Sequence, residues 1–315
     1  MRKYAIAYLL LRLFAPLSVR AQLPQQQPPD LSKVQVKVQK LAGNIYILQS
    51  SGAQAGMGNI AAFVGDDGIL LVDSQLVELG PKIEAALKTI SDKPVKYVLN
   101  SHWHGDHTGG NAYFGKTAVI IAQDNVRRTM ETVTDRRITN LAVSLPVITF
   151  KDELTLHLSG GEVHAIHFAR GHTDGDCAVF FSQGNVVHLG DLFTNFDPPH
   201  YPALNSDNDA TGGPQGEIAS IEYVLAHSSN NVKVIPGHGA VASKADLTKY
   251  LDVLKGTSAA VKAGIDQGKS LDQLKQEKVL EPWKEWSGDF ISADALIETL
   301  YNDLTGKAGT FIRHN

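Results

Sequence analysis

Apolar and polar positions alternate in short runs through the first third of the chain. "VQVKVQKLAGNIYILQS" alternates, breaks at Ala42-Gly43-Asn44 and alternates again, which predicts a β-hairpin. "NIAAFVGDDGILLVDS" repeats the pattern about Asp67-Gly68. Between the two lies "SSGAQAGMG", small and glycine-rich, which reads equally as a flexible loop or a flap over a substrate. The period then changes. Residues 77–91 fit a helix that stops before Pro94, and residues 123–133 fit another. "VKYVLN" and "AVIIA" are unbroken apolar runs of strand length, so both predict buried strands. "ELTLHLSGGEVHAIHFARGH" and "CAVFFSQGNVVHLGD" each read strand, turn, strand. Residues 215–228 look helical, "VKVIPGHG" is a strand running into a loop, and residues 243–267 form one long helix. Hairpins mixed with helical crossovers predict a layered α/β architecture rather than a purely parallel sheet.

Four of these strands run into polar residues that can bind metal. "VKYVLN" leads to Ser101-His102-Trp103-His104-Gly105-Asp106-His107, "VHAIHFARG" to His172, "VVHLG" to Asp191 and "VKVIPG" to His238. Apolar strands feeding polar loops gather a site at one edge of a sheet. Glycines 105, 171, 190, 237 and 239 accompany them and permit tight turns. In an extended segment His102 and His104 face the same way. With His172 they supply three imidazoles and leave a position open for water, the catalytic pattern for zinc. Asp106, His107 and His238 form a second nitrogen and oxygen set, and Asp191 is free to bridge. Without a thiolate the set admits iron or manganese as well as zinc. Two ions about 3.5–4 Å apart can share a hydroxide and stabilise both attacking and leaving atoms.

Composition narrows the options. The chain has 315 residues, 43% hydrophobic and 20% charged, which allows one large domain or two small ones without disulfide support. A net charge of -4 without a basic stripe argues against nucleic acid as a partner. The single Cys177 excludes an intramolecular disulfide and an all-cysteine metal cage. The first 21 residues have a basic start, an apolar run and Val19 and Ala21 two apart. This predicts a secretory signal peptide over 1–21, cleaved after Ala21, and hence a periplasmic or secreted protein with no membrane partner after cleavage. Arg12 inside the apolar run is atypical, and an uncleaved anchor is the alternative. "QLPQQQPPD" opens a flexible Gln/Pro linker over 22–33.

The series H-x-H-x-D-H, "GHTDGD", "LGD" and "PGHG" resembles the metallo-β-lactamase superfamily of hydrolases, over roughly residues 34–254. The resemblance implies a four-layer αβ/βα sandwich with metals at one edge of its two sheets. It places the first metal on His102, His104 and His172, the second on Asp106, His107 and His238, and Asp191 on both. Residues 255–315 then form a helical extension, similar to that of exported members labelled cyclase-like. The implied function is a hydrolase with two Zn(2+) ions and a bridging hydroxide that opens an amide, lactam, lactone or ester bond, with Asp106 as the catalytic carboxylate. β-Lactamases of the best-known branch carry Cys where Asp191 stands and Lys three residues later, where Thr194 stands. Both departures predict weak β-lactam turnover. Two other readings use the same residues: an iron-dependent oxidoreductase of the sulfur dioxygenase type, and a metal-binding protein without catalysis.

The long polar segment "FTNFDPPHYPALNSDNDATGG" follows Asp191. Loops of this length are often functional, so Asn195, His200, Tyr201 and Asn205 are candidate contacts for a small-molecule substrate. Cys177 reads as a packing thiol. His164 and His167 fall on opposite faces of one strand and cannot both reach one site. His188 reads as a packed strand residue, Trp103 as packing beneath the ligand loop, and Thr173 and Asp174 as turn residues. Trp283 and Trp286 are expected to pack the C-terminal helices.

Overall fold

The computed structural model describes residues 30–52, 57–204, 212–288 and 291–307. The expected signal peptide, most of the linker, four residues of the glycine-rich flap and Asn205 lie outside them.

The first half of the chain builds strands β1 (Gln35–Ala42), β2 (Ile45–Ser51), β3 (Ile60–Gly65), β4 (Gly68–Val72), β5 (Val95–Leu99), β6 (Val119–Gln123) and β7 (Ile148–Phe150). They join in sequence order into one sheet. β1 to β4 pair antiparallel, with tight turns joining β1 to β2 and β3 to β4, and β4 to β7 pair parallel. The parallel half needs crossovers. These are supplied by α1 (Gly80–Leu87), α2 (Gly105–Thr108), α3 (Asn111–Phe114), α4 (Asp124–Met130) and α5 (Leu141–Ser144).

The second half adds β8 (Glu153–Leu158), β9 (Gly161–His167), β10 (Cys177–Phe181), β11 (Val186–His188), β12 (Thr194–Asn195), α6 (Pro214–His227), β13 (Lys233–Ile235), β14 (His238–Gly239), β15 (Ala242–Ser243), α7 (Lys244–Asp266), α8 (Leu271–Gln276) and α9 (Ala293–Leu304). Six of its strands form a second sheet in the order β15-β13-β11-β10-β9-β8, while β12 and β14 make a small parallel pair of their own.

The layers follow from the period-2 pattern of the strands. In the first sheet Ile45, Ile47, Ala61, Phe63, Leu70, Val72, Leu99 and Ile121 point to one face. They meet Val163, Ala165, Cys177, Val179, Phe181, Val186 and Ile235 of the second sheet. The alternate residues Leu48, Ile60, Ala62, Ile69, Leu71, Val98 and Ile120 point outward and pack on Leu79, Ile83, Leu87 and Phe114. On the far side Ala178, Val187 and Val234 pack on Ile221, Val224, Leu247, Tyr250 and Leu254. Both sheets are therefore apolar on both faces, which gives a four-layer αβ/βα sandwich. A fully buried side chain of this kind contributes about 1.5–3 kcal/mol. The C-terminal helices continue the outer layer, since Leu274, Leu280, Trp286, Leu296, Ile297 and Leu300 are buried in that same cluster. Capping boxes at Ser243/Asp246 and Ser270/Gln273 set the starts of α7 and α8. No helix among the described residues is long and apolar enough to cross a membrane.

Two segments differ from the sequence pattern. The helix expected over 77–91 is a 3-10 turn at Val77–Leu79 followed by α1, after which residues 89 and 90 close tight i to i−3 turns. The ligand-rich segment does not continue the strand: β5 ends at Leu99, residues 101–103 bend, and at Gly105 the backbone turns helical as α2.

Candidate metal centre

The site lies where the strands of both sheets end. β5 runs out at Leu99 and delivers His102 and His104; the single turn of α2 then presents Asp106 and His107. His172 follows β9, Asp191 lies in the 3-10 turn Gly190–Leu192 after β11, and His238 opens β14 after β13. Glycines allow the approach. Gly190 has a positive φ of 50°. Gly237 has none, but a Cβ there would lie 1.9 Å from Asp191 Oδ1. Gly58 lies flat on the His107 ring, where a Cβ would meet ring atoms at 2.5 Å.

These exits bring all seven expected ligands together as two adjoining sets. His102, His104, His172 and Asp191 place one donor atom each within 4.8 Å of one another, as do Asp106, His107 and His238. Asp191 stands between the sets. Its Oδ2 is 3.5 Å from His172 Nε2 and 4.0 Å from His102 Nε2. Its Oδ1 is 3.2 Å from His107 Nε2 and 3.4 Å from His238 Nε2. Asp106 Oδ2 faces the second set, 3.2 Å from His238 Nε2 and 3.7 Å from His107 Nε2.

A layer of partners behind the histidines decides which ring nitrogen faces inward. Ser101 gives its hydroxyl proton to Asp73 Oδ2 at 2.7 Å, so it accepts from His102 Nδ1 at 3.0 Å and leaves Nε2 for the site. His107 Nδ1 donates to Asp73 Oδ2 at 2.8 Å. His172 Nδ1 donates to the Ala203 carbonyl at 2.7 Å, and its Nε2 meets His104 Nδ1 at 2.9 Å. Asp73, fully buried with φ 67°, thus anchors both sets, and its Oδ1 accepts the Ser101 amide at 2.7 Å. This is the arrangement in which metal-binding imidazoles are held by carboxylates and carbonyls. Asp106 Oδ1 accepts from Arg137 Nη1 at 2.8 Å.

The electrostatics of the two sets differ. Burial pushes the His104 imidazole down to about 3, with the neighbouring His172 adding to it. Burial likewise lowers His102, helped by the His107 charge. In the second set burial also opposes charge, but Asp191 and Asp106 outweigh it and raise His238 to about 9. Asp191 and Asp73 raise His107 against the same burial penalty. Burial would raise both carboxyls, yet His238 and His107 hold Asp106 and Asp191 below the usual carboxylate range.

The residues fit binding of divalent cations. The buried His102 Nε2 has no hydrogen-bond partner among the described residues. It faces, with other ring nitrogens, a carboxylate whose two oxygens point to different sets. Such a cluster of lone pairs is costly to bury unless a cation compensates it.

The other residues singled out in the sequence fall elsewhere or play other parts. Tyr201 corrects the expectation of a substrate contact: it is fully buried in the helical layer, its hydroxyl 3.4 Å from the Leu280 carbonyl, because the segment dives beneath the C-terminal helices. Asn195 lies beside His238, but its amide donates to the Ala240 carbonyl at 3.0 Å. His200 is half-buried and separated from His238 by Phe196, whose ring stacks on that imidazole. Cys177 is a buried packing residue between the sheets. His188 is buried as well, and it bridges Gly190 N and the Asn59 carbonyl. His164 pairs with Glu153 and His167 with the Asp176 carbonyl, both away from the site. Trp103 packs in a small cluster with Val126 and Met130. Thr173 bonds Asp176, whose carboxyl burial raises to about 7. Sequence reasoning missed Asp73, Ser101, Gly58 and Arg137. Asp73 ends a strand in "LLVDS", as the ligands do, and was open to the same argument; Arg137 carries no local signal.

Comparison with known proteins bears on this geometry. A family model described as the metallo-beta-lactamase superfamily matches residues 53–252. A metallo-beta-lactamase type 2 from Bacteroides fragilis is 22% identical over 241 residues, covering 74% of this chain and 88% of that protein. One from Bacillus sp. (strain 170) is 23% identical over 224 residues, covering 70% and 82%. Among solved structures, a metallo-beta-lactamase from Pontibacter korlensis superposes with a TM-score of 0.57 at 20% identity, over 70% of this chain and 99% of that one.

Proposed function

The chain belongs to the metallo-beta-lactamase superfamily, and from that premise we propose that it is a hydrolase working with two divalent cations, zinc foremost, on an amide, lactam, lactone or ester bond of a small molecule. The observation that carries the two-ion reading is the split of Asp191, one oxygen toward His102 and His172 and the other toward His107 and His238. A single carboxylate so placed offsets the mutual repulsion of two cations. His102, His104 and His172 would hold the first ion; Asp106, His107 and His238 the second. When bound, the ions supply Lewis acidity toward a carbonyl and lower the pKa of water toward neutrality.

The remaining work falls to the chain itself. Asp106 is only partly exposed, with Oδ1 fixed by Arg137 and Oδ2 at the second set. A carboxylate held in that way orients a water and can receive its proton without changing rotamer. Burial keeps the His102 and His104 imidazoles neutral and available as ligands. Asp73 holds His107 and, through Ser101, His102, so the rings need not reorganise as charge develops.

The names of the relatives make β-lactams substrates to test. Two features support weak turnover of them. A carboxylate, Asp191, stands where the best-known β-lactamases carry a thiolate. Thr194, where they carry a lysine, is buried and its backbone pairs with His238, so no cation projects from it to grip a substrate carboxylate. The test is hydrolysis of neutral lactones and thioesters alongside penicillins by zinc-loaded protein. Penicillin turnover far above that of every neutral ester or lactone would reject the proposed preference.

A further inference from the structure

We infer that Arg137 is a positioning residue for the second metal set, acting through Asp106 from a loop distant in sequence; this rests on the two-ion reading above. Arg137 Nη1 donates to Asp106 Oδ1 at 2.8 Å. The rest of the guanidinium grips Asp135, Nη2 on Oδ2 at 2.7 Å and Nε within 3.1 Å of both oxygens. Asp135 also accepts the Arg137 amide at 2.8 Å. One planar cation therefore ties two carboxylates together, which a lysine ammonium cannot do with the same geometry.

The loop is keyed to the ligand turn by backbone as well. A Cβ at Gly105 would lie 2.6 Å from Arg137 Cβ and from Asp135 Oδ2, and one at Gly109 would lie 2.7 Å from the Arg137 carbonyl. Residues 135–137 thus rest directly on α2, the single turn that carries Asp106 and His107. Asp106 is 17% exposed, so water could otherwise compete for Oδ1 and let the carboxylate turn. With Oδ1 occupied, Oδ2 is left facing His238 and His107. In the first set, Ser101 and the Ala203 carbonyl fix His102 and His172 instead. The inference is consequently selective: Arg137 supports one ion and not the other.

The experiment is zinc binding by full-length parent, Arg137→Gln and Arg137→Lys, each titrated in competition with a chromophoric chelator, with cobalt(II) absorption spectra as a second readout. Loss of an outer partner commonly lowers metal affinity about 10–100-fold. We expect Arg137→Gln to keep the first equivalent at parental affinity and to weaken the second by about that factor, with the cobalt spectrum changed only for the second equivalent. Arg137→Lys, which keeps the charge and loses the fork, should restore part of the loss. A parent with two equivalents and an Arg137→Gln variant that binds both as tightly overturns this inference and leaves the two-ion reading standing. Equal weakening of both equivalents also overturns it, because Arg137 would then support the fold at large. A parent that takes only one equivalent rejects the two-ion reading, and this inference with it.

Discussion

The two candidate metal sets should respond differently to pH, because the second holds protons on His238 and His107 that a cation must displace, whereas His102 and His104 of the first are already neutral. In the metal-free protein His238 is raised to about 9 and His107 is raised as well, each wedged between carboxylates. His104 lies near 3 and His102 is also lowered, so both are already neutral at pH 7. A metal ion binds the deprotonated imidazole. For a histidine titrating near 9, each pH unit below that value costs about tenfold in apparent affinity, about 1.36 kcal/mol. Between pH 8.5 and 6.5 the second equivalent should therefore weaken by about 100-fold through His238 alone, about 2.7 kcal/mol, with His107 steepening the slope. His102 and His104 contribute no such slope to the first equivalent. The assay is zinc titration at pH 6.5, 7.5 and 8.5 in chelator-buffered zinc. Calorimetry in two buffers of different ionisation enthalpy would count the protons released. Equal pH slopes for the two equivalents, or a steeper slope for the first, would refute the reasoning.

The same shifts predict how the metal-free fold responds to alkali. His238 has a folded pKa above its unfolded value, so its stabilising contribution is present below about 6.5 and is lost as pH rises through about 9. Asp176, raised to about 7, loses its contribution over a lower range, as pH climbs from its unfolded value. Metal-free protein should accordingly melt at lower temperature at pH 9 than at pH 6.5, and zinc should flatten that dependence; a melting temperature that rises over this range contradicts the assignment. Asp191→Ala should retain the fold and the first ion, lose the second first, and regain part of its activity in excess zinc. A variant with parental binding and rate would remove Asp191 from the ligand set. Gly58→Ala places a methyl against the His107 ring, which Asp73 holds in place; overpacking of this kind typically costs about 1–3 kcal/mol, and zinc titration should show the loss at the second equivalent. An unchanged second affinity would mean that residues 57–59 yield without disturbing His107.

Much of the architecture could be read from period. The unbroken apolar run in Ile60–Gly65 marks a strand buried on both faces, as a strand between two layers must be, while Ile45–Ser51 starts apolar and turns polar toward its end. The capped start of α7 at Ser243 is equally plain. What period could not supply was short structure. α2 and α3 are four residues each, too short to show a helical repeat, and β12 and β14 pair over two residues only. The candidate ligands were legible because each lies in a polar loop that follows an apolar strand, and five of the seven (His104, Asp106, His172, Asp191 and His238) adjoin a glycine. Their partners were not. Ser101 looks like any loop serine, and Arg137 meets Asp106 across 31 positions by way of a loop with no regular pattern. Tyr201 shows the converse failure. A polar, proline-rich context suggested exposure, but the tyrosine packs under the C-terminal helices, a contact that spans 79 residues of sequence to Leu280. Long-range packing of this kind leaves no local trace.

Metal-dependent hydrolysis at this site is open to a direct test by removing and restoring the metal. Purified protein is stripped with chelator, reloaded with zinc in half-equivalent steps, and assayed at each step on a panel of lactams, lactones, esters and thioesters. The account predicts turnover of at least one substrate class that vanishes on stripping, returns with added zinc and reaches its plateau at two equivalents per chain. Turnover that survives complete stripping, or no turnover of any class at two equivalents, would contradict it.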